Sequence, residues 1–326
     1  RAPAGSSSGS AVAVAAGLCA GALCSDTGGS IRGPASMCGI VGLKPTYGLV
    51  SRRGVVPLSW SLDHVGPMTR SVWDSAVILQ AIAGSDPEDA SSRGARVADY
   101  TAALEAGARG LRLGVVRRYY VEWPGLHADV RSAATAAFAE LAGQGARLED
   151  VDAPTLDLAP AIWACFTAEM YDYHAEGLRD RPQDYRESTR TRLYMGALFT
   201  AQDLVRAQRL RARLAREVRG LLERVDALIF PGQASPAVRF EDFPTTGLMP
   251  ASTRYTSPWN LLGLPAVVVP CGFSREGLPV SIQIVGRPFD EALVLRIARA
   301  YERATEWHRR RPDPARWGLA ENTPGV

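Results

Sequence analysis

Apolar residues recur at helical spacing over 72–83, where Val72, Ala76, Val77, Leu79 and Ile82 supply one buried face. The same period predicts helices over 132–141 and 291–307, and two or more helices within 161–219 separated by the polar 180–190 stretch. Short apolar runs flanked by Gly or Pro at 227–230, 266–270 and 280–285 read as strands, as do 40–43 and 111–116. Near the start, a run rich in Ala and Val predicts a short helix from Ser10, with Ser8 or Ser10 as its N-cap. The adjacent Gly28 and Gly29 mark a turn before a helical turn over 31–38, and 50–67 reads as loop and short strand. Strands alternating with helices predict an α/β layered fold. No repeat or low-complexity linker divides residues 1–326, so one domain is expected.

Composition narrows the class. With 46% hydrophobic and 22% charged residues over 326 positions, the chain is globular, which excludes disorder, collagen and a disulfide-stapled mini-protein. The longest nearly uncharged apolar stretch, 11–24, is shorter than the roughly 20 residues a bilayer span needs. A secretory leader is disfavoured, because one arginine is its whole basic region and no small-x-small cleavage site follows. Net charge of +3 gives no support to a strongly basic nucleic-acid binder. The 37 basic residues include a single lysine, Lys44. Five scattered cysteines without a C-x-x-C pair suggest neither zinc nor disulfides, and a reducing, cytoplasmic setting fits them.

Several motifs offer chemistry. Gly5-Ser6-Ser7-Ser8-Gly9 matches G-x-S-x-G, but four preceding residues cannot form the buried strand that presents a nucleophile elbow at Ser7. His64, His127, His174 and His308 are possible bases without context, and packing or surface roles suit them better. The arginines from Arg206 to Arg219 are diluted by Asp203 and Glu217, as on a solvated helix face. There is no P-loop and no metal-ligand spacing. What remains is the serine and glycine constellation of 5–32. Gly28 and Gly29 leave the backbone before Ser30 free to curl, so that successive N–H groups converge beside its hydroxyl. An ordinary Gly-Gly-Ser turn capping a helix explains the same residues equally well.

The chain resembles the amidase signature family. Gly5-Ser6-Ser7-Ser8-Gly9-Ser10-Ala11 and Ser25-Asp26-Thr27-Gly28-Gly29-Ser30-Ile31-Arg32 are similar to its serine-rich segments. Gly39-Ile40-Val41-Gly42-Leu43-Lys44-Pro45-Thr46-Tyr47-Gly48 and Ser61-Leu62-Asp63-His64-Val65-Gly66-Pro67-Met68 continue the likeness. Asn260-Leu261-Leu262-Gly263-Leu264-Pro265-Ala266 and 277–286 extend it downstream, so that it covers about 5–84 and 226–312. Over 85–225, a variable helical region, only the general layout is similar.

The resemblance implies a mixed β-sheet core flanked by helices on both faces, and hydrolysis of a carboxylic amide through a serine acyl-enzyme that releases ammonia or an amine. It implies a Ser-Ser-Lys triad with Ser30 as nucleophile and Ser6, preceded by a cis peptide, as the bridging serine. It further implies an oxyanion hole from the N–H groups of Thr27, Gly28, Gly29 and Ser30, with Ser7, Asp26 and Arg32 in support. No metal, organic cofactor or membrane is implied; the partner is a small-molecule amide, and a homodimer is compatible.

Family members carry the triad lysine upstream of the serine cluster, and four residues precede Gly5. Lys44 matches an additional lysine, and Pro45 draws its backbone toward an extended conformation. On this reading the chain is an N-terminally truncated amidase, inactive as given for want of its base. Two alternatives stand beside it: the A subunit of a glutamine-dependent aminoacyl-tRNA amidotransferase, and a non-catalytic remnant.

Overall fold

A computed structural model describes residues 1–243 and 250–313. In chain order the elements are α1 (Ser8–Ala16), β1 (Gly21–Asp26), α2 (Arg32–Cys38), β2 (Val41–Lys44), β3 (His64–Thr69) and α3 (Val72–Ile82). Next come β4 (Arg112–Val115), α4 (Ala128–Gly143) and β5 (Arg147–Asp150). Four helices follow, α5 (Ala159–Cys165), α6 (Thr167–Asp180), α7 (Glu187–Gly196) and α8 (Ala201–Arg224). The chain closes with β6 (Ala227–Pro231), α9 (Pro250–Leu261), β7 (Ala266–Phe273), β8 (Pro279–Val285) and α10 (Glu291–Ala304).

The strands form one sheet in the order β1-β3-β2-β7-β8-β6-β4-β5. β4 runs parallel to β5 and β6 while the remaining pairs are antiparallel, so the sheet is mixed. Its two faces are read from side-chain alternation along β7. Val267 and Val269 enter the large core shared with α3, α4 and α10, and Val268 points into a smaller core with Ala11, Val14, Ile31 and Ala35 of the α1–α2 layer. Gly42 of β2 lies under α2, where an added Cβ would sit 2.6 Å from that of Ala35. Helices therefore cover both faces, as the resemblance implies.

Some expectations need correction. α1 begins at Ser8, so Ser8 and Ser10 are inside it; the N-cap is Ser7, which makes no capping bond. The hydroxyls of Ser7 and Ser10 instead reach the Cys24 thiol. The 132–141 helix is longer because the His127 side chain accepts the Asp129 N–H and caps it from outside the apolar pattern. The last helix ends at Ala304, and a short 3-10 turn follows. The 85–225 stretch also supplies β4 and β5, the latter a largely exposed edge strand in which Leu148 stands alone among charged residues and gives no apolar run. Among the described residues no helix is long and apolar enough to cross a membrane.

Candidate active site

The turn from β1 into α2 is held by one carboxylate. Asp26 Oδ1 accepts the Gly29 N–H at 2.8 Å, and Oδ2 accepts the N–H groups of Ile31 and Arg32 at 3.1 and 3.3 Å. Arg32 returns over the same carboxylate with Nε at 3.1 Å and Nη2 at 2.9 Å, both side chains being fully buried. Burial pushes the Asp26 carboxyl up, but the Arg32 guanidinium outweighs it and holds the group well below the usual carboxylate range. Residues from the far end of the chain complete the network. Asn260 donates to the Asp26 carbonyl and carboxylate at 2.8 Å, and accepts Arg32 Nη2 at 2.6 Å; Gln283 accepts Arg32 Nη1 at 2.8 Å.

Both glycines of the turn are required by close approach. An added Cβ on Gly28 would lie 2.7 Å from the Trp163 ring, and one on Gly29, at φ +132°, 2.4 Å from Thr256 Oγ1. The carbonyls of the turn are tied outward: Trp163 Nε1 donates to Thr27 O at 3.0 Å and Thr256 Oγ1 to Gly28 O at 2.5 Å. The Thr27 hydroxyl donates to Asp63 at 2.6 Å. With carbonyls turned away and the Gly29 N–H taken by Asp26, the N–H groups of Thr27, Gly28 and Ser30 have no partner among the described residues.

This turn opens onto a cavity of about 490 Å³ whose lining includes Ser30, Ser6, Thr27, Gly28 and Gly29. Two serines 24 positions apart thus reach one space, Ser6 arriving on the loop before α1 and Ser30 on the loop after β1. The Gly5–Ser6 peptide is cis, where the resemblance places one. Ser7 is not part of the lining, and Asp26 and Arg32 stand behind the turn. Lys44 is elsewhere: fully buried at the end of β2, its Nζ donates to Leu264 O at 2.6 Å and Pro45 O at 3.0 Å. Burial, together with the nearby Arg32 guanidinium, holds its amine well below the ordinary lysine range. None of the four histidines lines the cavity, and among the described residues no group of three or more His, Cys, Asp or Glu is placed to hold a metal ion.

Sequence reasoning missed the opposite wall. Trp163, Thr167, Met170, Arg192, Leu193 and Phe199 come from α5 to the start of α8, Gln233 follows β6 and Thr256 lies on α9. The apolar members were legible as helix faces, but nothing in their spacing says that one end of those helices borders Ser30. Arg192 is half-buried, and its Nε has no partner among the described residues. The position of Asn260 and Gln283 behind the loop was equally invisible, since they lie 228 and 251 residues from Arg32.

A mixed sheet thus brings two serines and a turn of free N–H groups to one cavity. The chain belongs to the amidase signature family: the Amidase family profile matches residues 1–295. Among its relatives, the A subunit of the glutamyl-tRNA(Gln) amidotransferase of Chloroflexus aggregans (strain MD-66 / DSM 9485) is 43% identical, over 97% of this chain and 69% of that protein. An amidase of Pseudomonas putida is also 43% identical, over 88% and 63% respectively. The crystal structure of the A subunit of glutamyl-tRNA(Gln) amidotransferase from Thermotoga maritima superposes with a TM-score of 0.80 at 36% identity, covering 93% of this chain and 66% of that one. The chain thus spans about two thirds of the length of such relatives.

Proposed function

We propose that the site hydrolyses a carboxylic amide through an acyl-enzyme on Ser30. The observation that carries this reading is the Ser30 hydroxyl beside three unpartnered N–H groups on a turn clamped by the buried Asp26–Arg32 pair. Ser30 Oγ attacks the carbonyl carbon, and the carbonyl oxygen takes the developing charge into the N–H groups of Thr27, Gly28 and Ser30. Gly29 enters through its bond to Asp26, which fixes the curl of the turn. Such donors stabilise the transition state by about 3 kcal/mol each, because they are oriented before charge develops. Ser6 can accept the Ser30 proton only as it gives its own hydroxyl proton to a basic amine, which returns a proton through Ser6 to the departing nitrogen as the C–N bond breaks; water then cleaves the ester by the same relay.

A serine relay still needs a basic amine, and Lys44 is committed to two carbonyls outside the cavity. Membership of the family and the P. putida amidase support amide hydrolysis. A second reading, glutamine hydrolysis as the A subunit of a glutamyl-tRNA amidotransferase working with other subunits and charged tRNA, is supported by the names of the relatives. It is supported also by Arg192, a cation in the cavity suited to a substrate carboxylate.

The test is ammonia release from hexanamide, benzamide and glutamine by the chain and by its Ser30→Ala variant. Turnover that survives the substitution overturns the assignment of Ser30. Glutamine cleaved in preference to the neutral amides, with the preference lost in Arg192→Met, selects the second reading. Rapid stoichiometric labelling of Ser30 by a fluorophosphonate would sink the need for a further base, and no turnover under any condition would leave the non-catalytic remnant.

A further inference from the structure

Beyond β6 the chain runs Gly232-Gln233-Ala234, of which Gly232 and Gln233 line the cavity. The backbone is pinned on both sides of Gln233: the Gly232 N–H donates to Ser281 O at 2.8 Å, and Ala234 O accepts the His127 N–H at 2.8 Å. Gly232 allows this close seat, since an added Cβ would lie 2.0 Å from Ser281 Oγ. The Gln233 side chain is therefore delivered to a fixed place, where it is 1% exposed. Among the described residues it is the one side chain with two buried polar atoms lacking any partner, Oε1 and Nε2. Buried amides are normally paired, and leaving both ends unpaired disfavours the folded chain. The cavity lining combines apolar Leu58, Trp163, Met170, Leu193 and Phe199 with polar groups such as Ser6, Ser30, Thr189 and Arg192, and none of these bonds the Gln233 amide.

We propose that Gln233 is a specificity-determining residue whose side-chain amide turns to hydrogen-bond a second planar donor–acceptor group, an amide or ureido unit, in the acyl part of the substrate. The proposal rests on the amidase reading, in which the scissile carbonyl is already served by the N–H groups of Thr27, Gly28 and Ser30. Gln233 pairs one donor with one acceptor and carries no charge, which matches a neutral amide edge; an anionic group belongs with Arg192. The substrate class that follows is an N-acyl amino-acid amide or related diamide, seated with its apolar portion on the Trp163 wall.

Binding of two probes to the Ser30→Ala chain tests this by calorimetry without any turnover. Benzamide and hippuramide share a phenyl ring and a primary carboxamide, and hippuramide has one internal amide more. Gln233→Met is expected to weaken hippuramide by about tenfold, the worth of one or two neutral hydrogen bonds, with benzamide changed less than about twofold. Gln233→Asn, which keeps the amide on a shorter arm, should show the same selective loss. Equal losses for both probes, no loss for either, or no measurable hippuramide binding to the Ser30→Ala parent would each overturn the proposal. Selective loss in a chain whose Ser30 never turns over an amide would instead leave this binding role standing and remove the hydrolytic reading.

Discussion

Behind the nucleophile turn each Asp26 carboxylate oxygen takes three donors, drawn from the turn itself, from Arg32 and from Asn260 of α9. Across the cavity, α6 and α7 share a small core of Met170, Leu178 and Leu193, with Trp163, Tyr171 and Tyr185 packed against it, and leave Tyr173, Tyr194 and Met195 exposed. The two regions meet at few polar contacts. Trp163 holds Thr27 O, while Glu169 accepts the hydroxyls of Ser59 and Ser61 at 2.6 and 2.7 Å, on the loop that carries Asp63. Asp63 in turn accepts the Thr27 hydroxyl. Oriented donors stabilise a transition state only if they do not have to reorganise, whereas a recognition wall gains from being replaceable. On the proposed reading, the difference teaches that the reacting turn is held by many bonds while the wall facing it is lightly packed.

The sharpest way to break that comparison is Arg32→Met. It strands a buried carboxylate, so urea unfolding should show a loss of about 3–5 kcal/mol. A loss below about 1 kcal/mol would mean the pair does not hold the turn. Because the folded Asp26 carboxyl is depressed, its stabilising contribution is present above the unfolded value of about 3.9 and is lost as pH falls through the folded one. The parent should therefore lose this contribution progressively below about pH 4, and its gap to Arg32→Met should be smaller in acid than at neutral pH.

Leu193→Ala is expected to cost about 2 kcal/mol, the low end for a buried leucine, and to act locally. Hydrogen exchange should speed up over 167–196 while the amides of β7 and β8 keep their protection; uniform loss across the sheet would show one cooperative piece instead of two. Smallest is Trp163→Phe, which keeps an aromatic ring over Gly28 but removes the bond to Thr27 O. About 1 kcal/mol is expected, read as faster exchange confined to the turn over 27–30. If exchange there is unchanged, the wall does not steady the turn through this contact.

Much of the fold was legible. The strands β4, β6, β7 and β8 and the helices α3, α8 and α10 coincide with apolar runs or helical periods, because these strands are buried on both faces and each helix buries one apolar stripe. β5 was hidden because an edge strand pairs through its backbone and asks little of its side chains. β3 was blurred by Gly66 and Pro67 within it. Helix α9 carries Ser, Thr and an internal Pro258, and its packing rather than its propensity keeps it helical. In the candidate site, Gly28, Gly29 and Ser30 stood out as a local motif, and Ser6, Asp26, Thr27 and Arg32 came in through the family resemblance of the segments that hold them. Arg192 and Gln233 did not, since a polar residue in a helix or after a strand looks ordinary until its unpaired atoms are seen.

By itself the sequence determined the layered α/β class, the family, and the two serine segments, since these rest on local periodicity and on motifs contiguous in the chain. Tertiary structure alone decided which groups share a space. It set Lys44 against Leu264 O and Pro45 O and away from the cavity, drew Asn260 and Gln283 onto Arg32, and donated the Gly29 N–H to Asp26. Hydrogen-bond satisfaction is settled in three dimensions: a donor is free or taken according to what the folded chain brings within about 3 Å of it, however far away in sequence its partner lies.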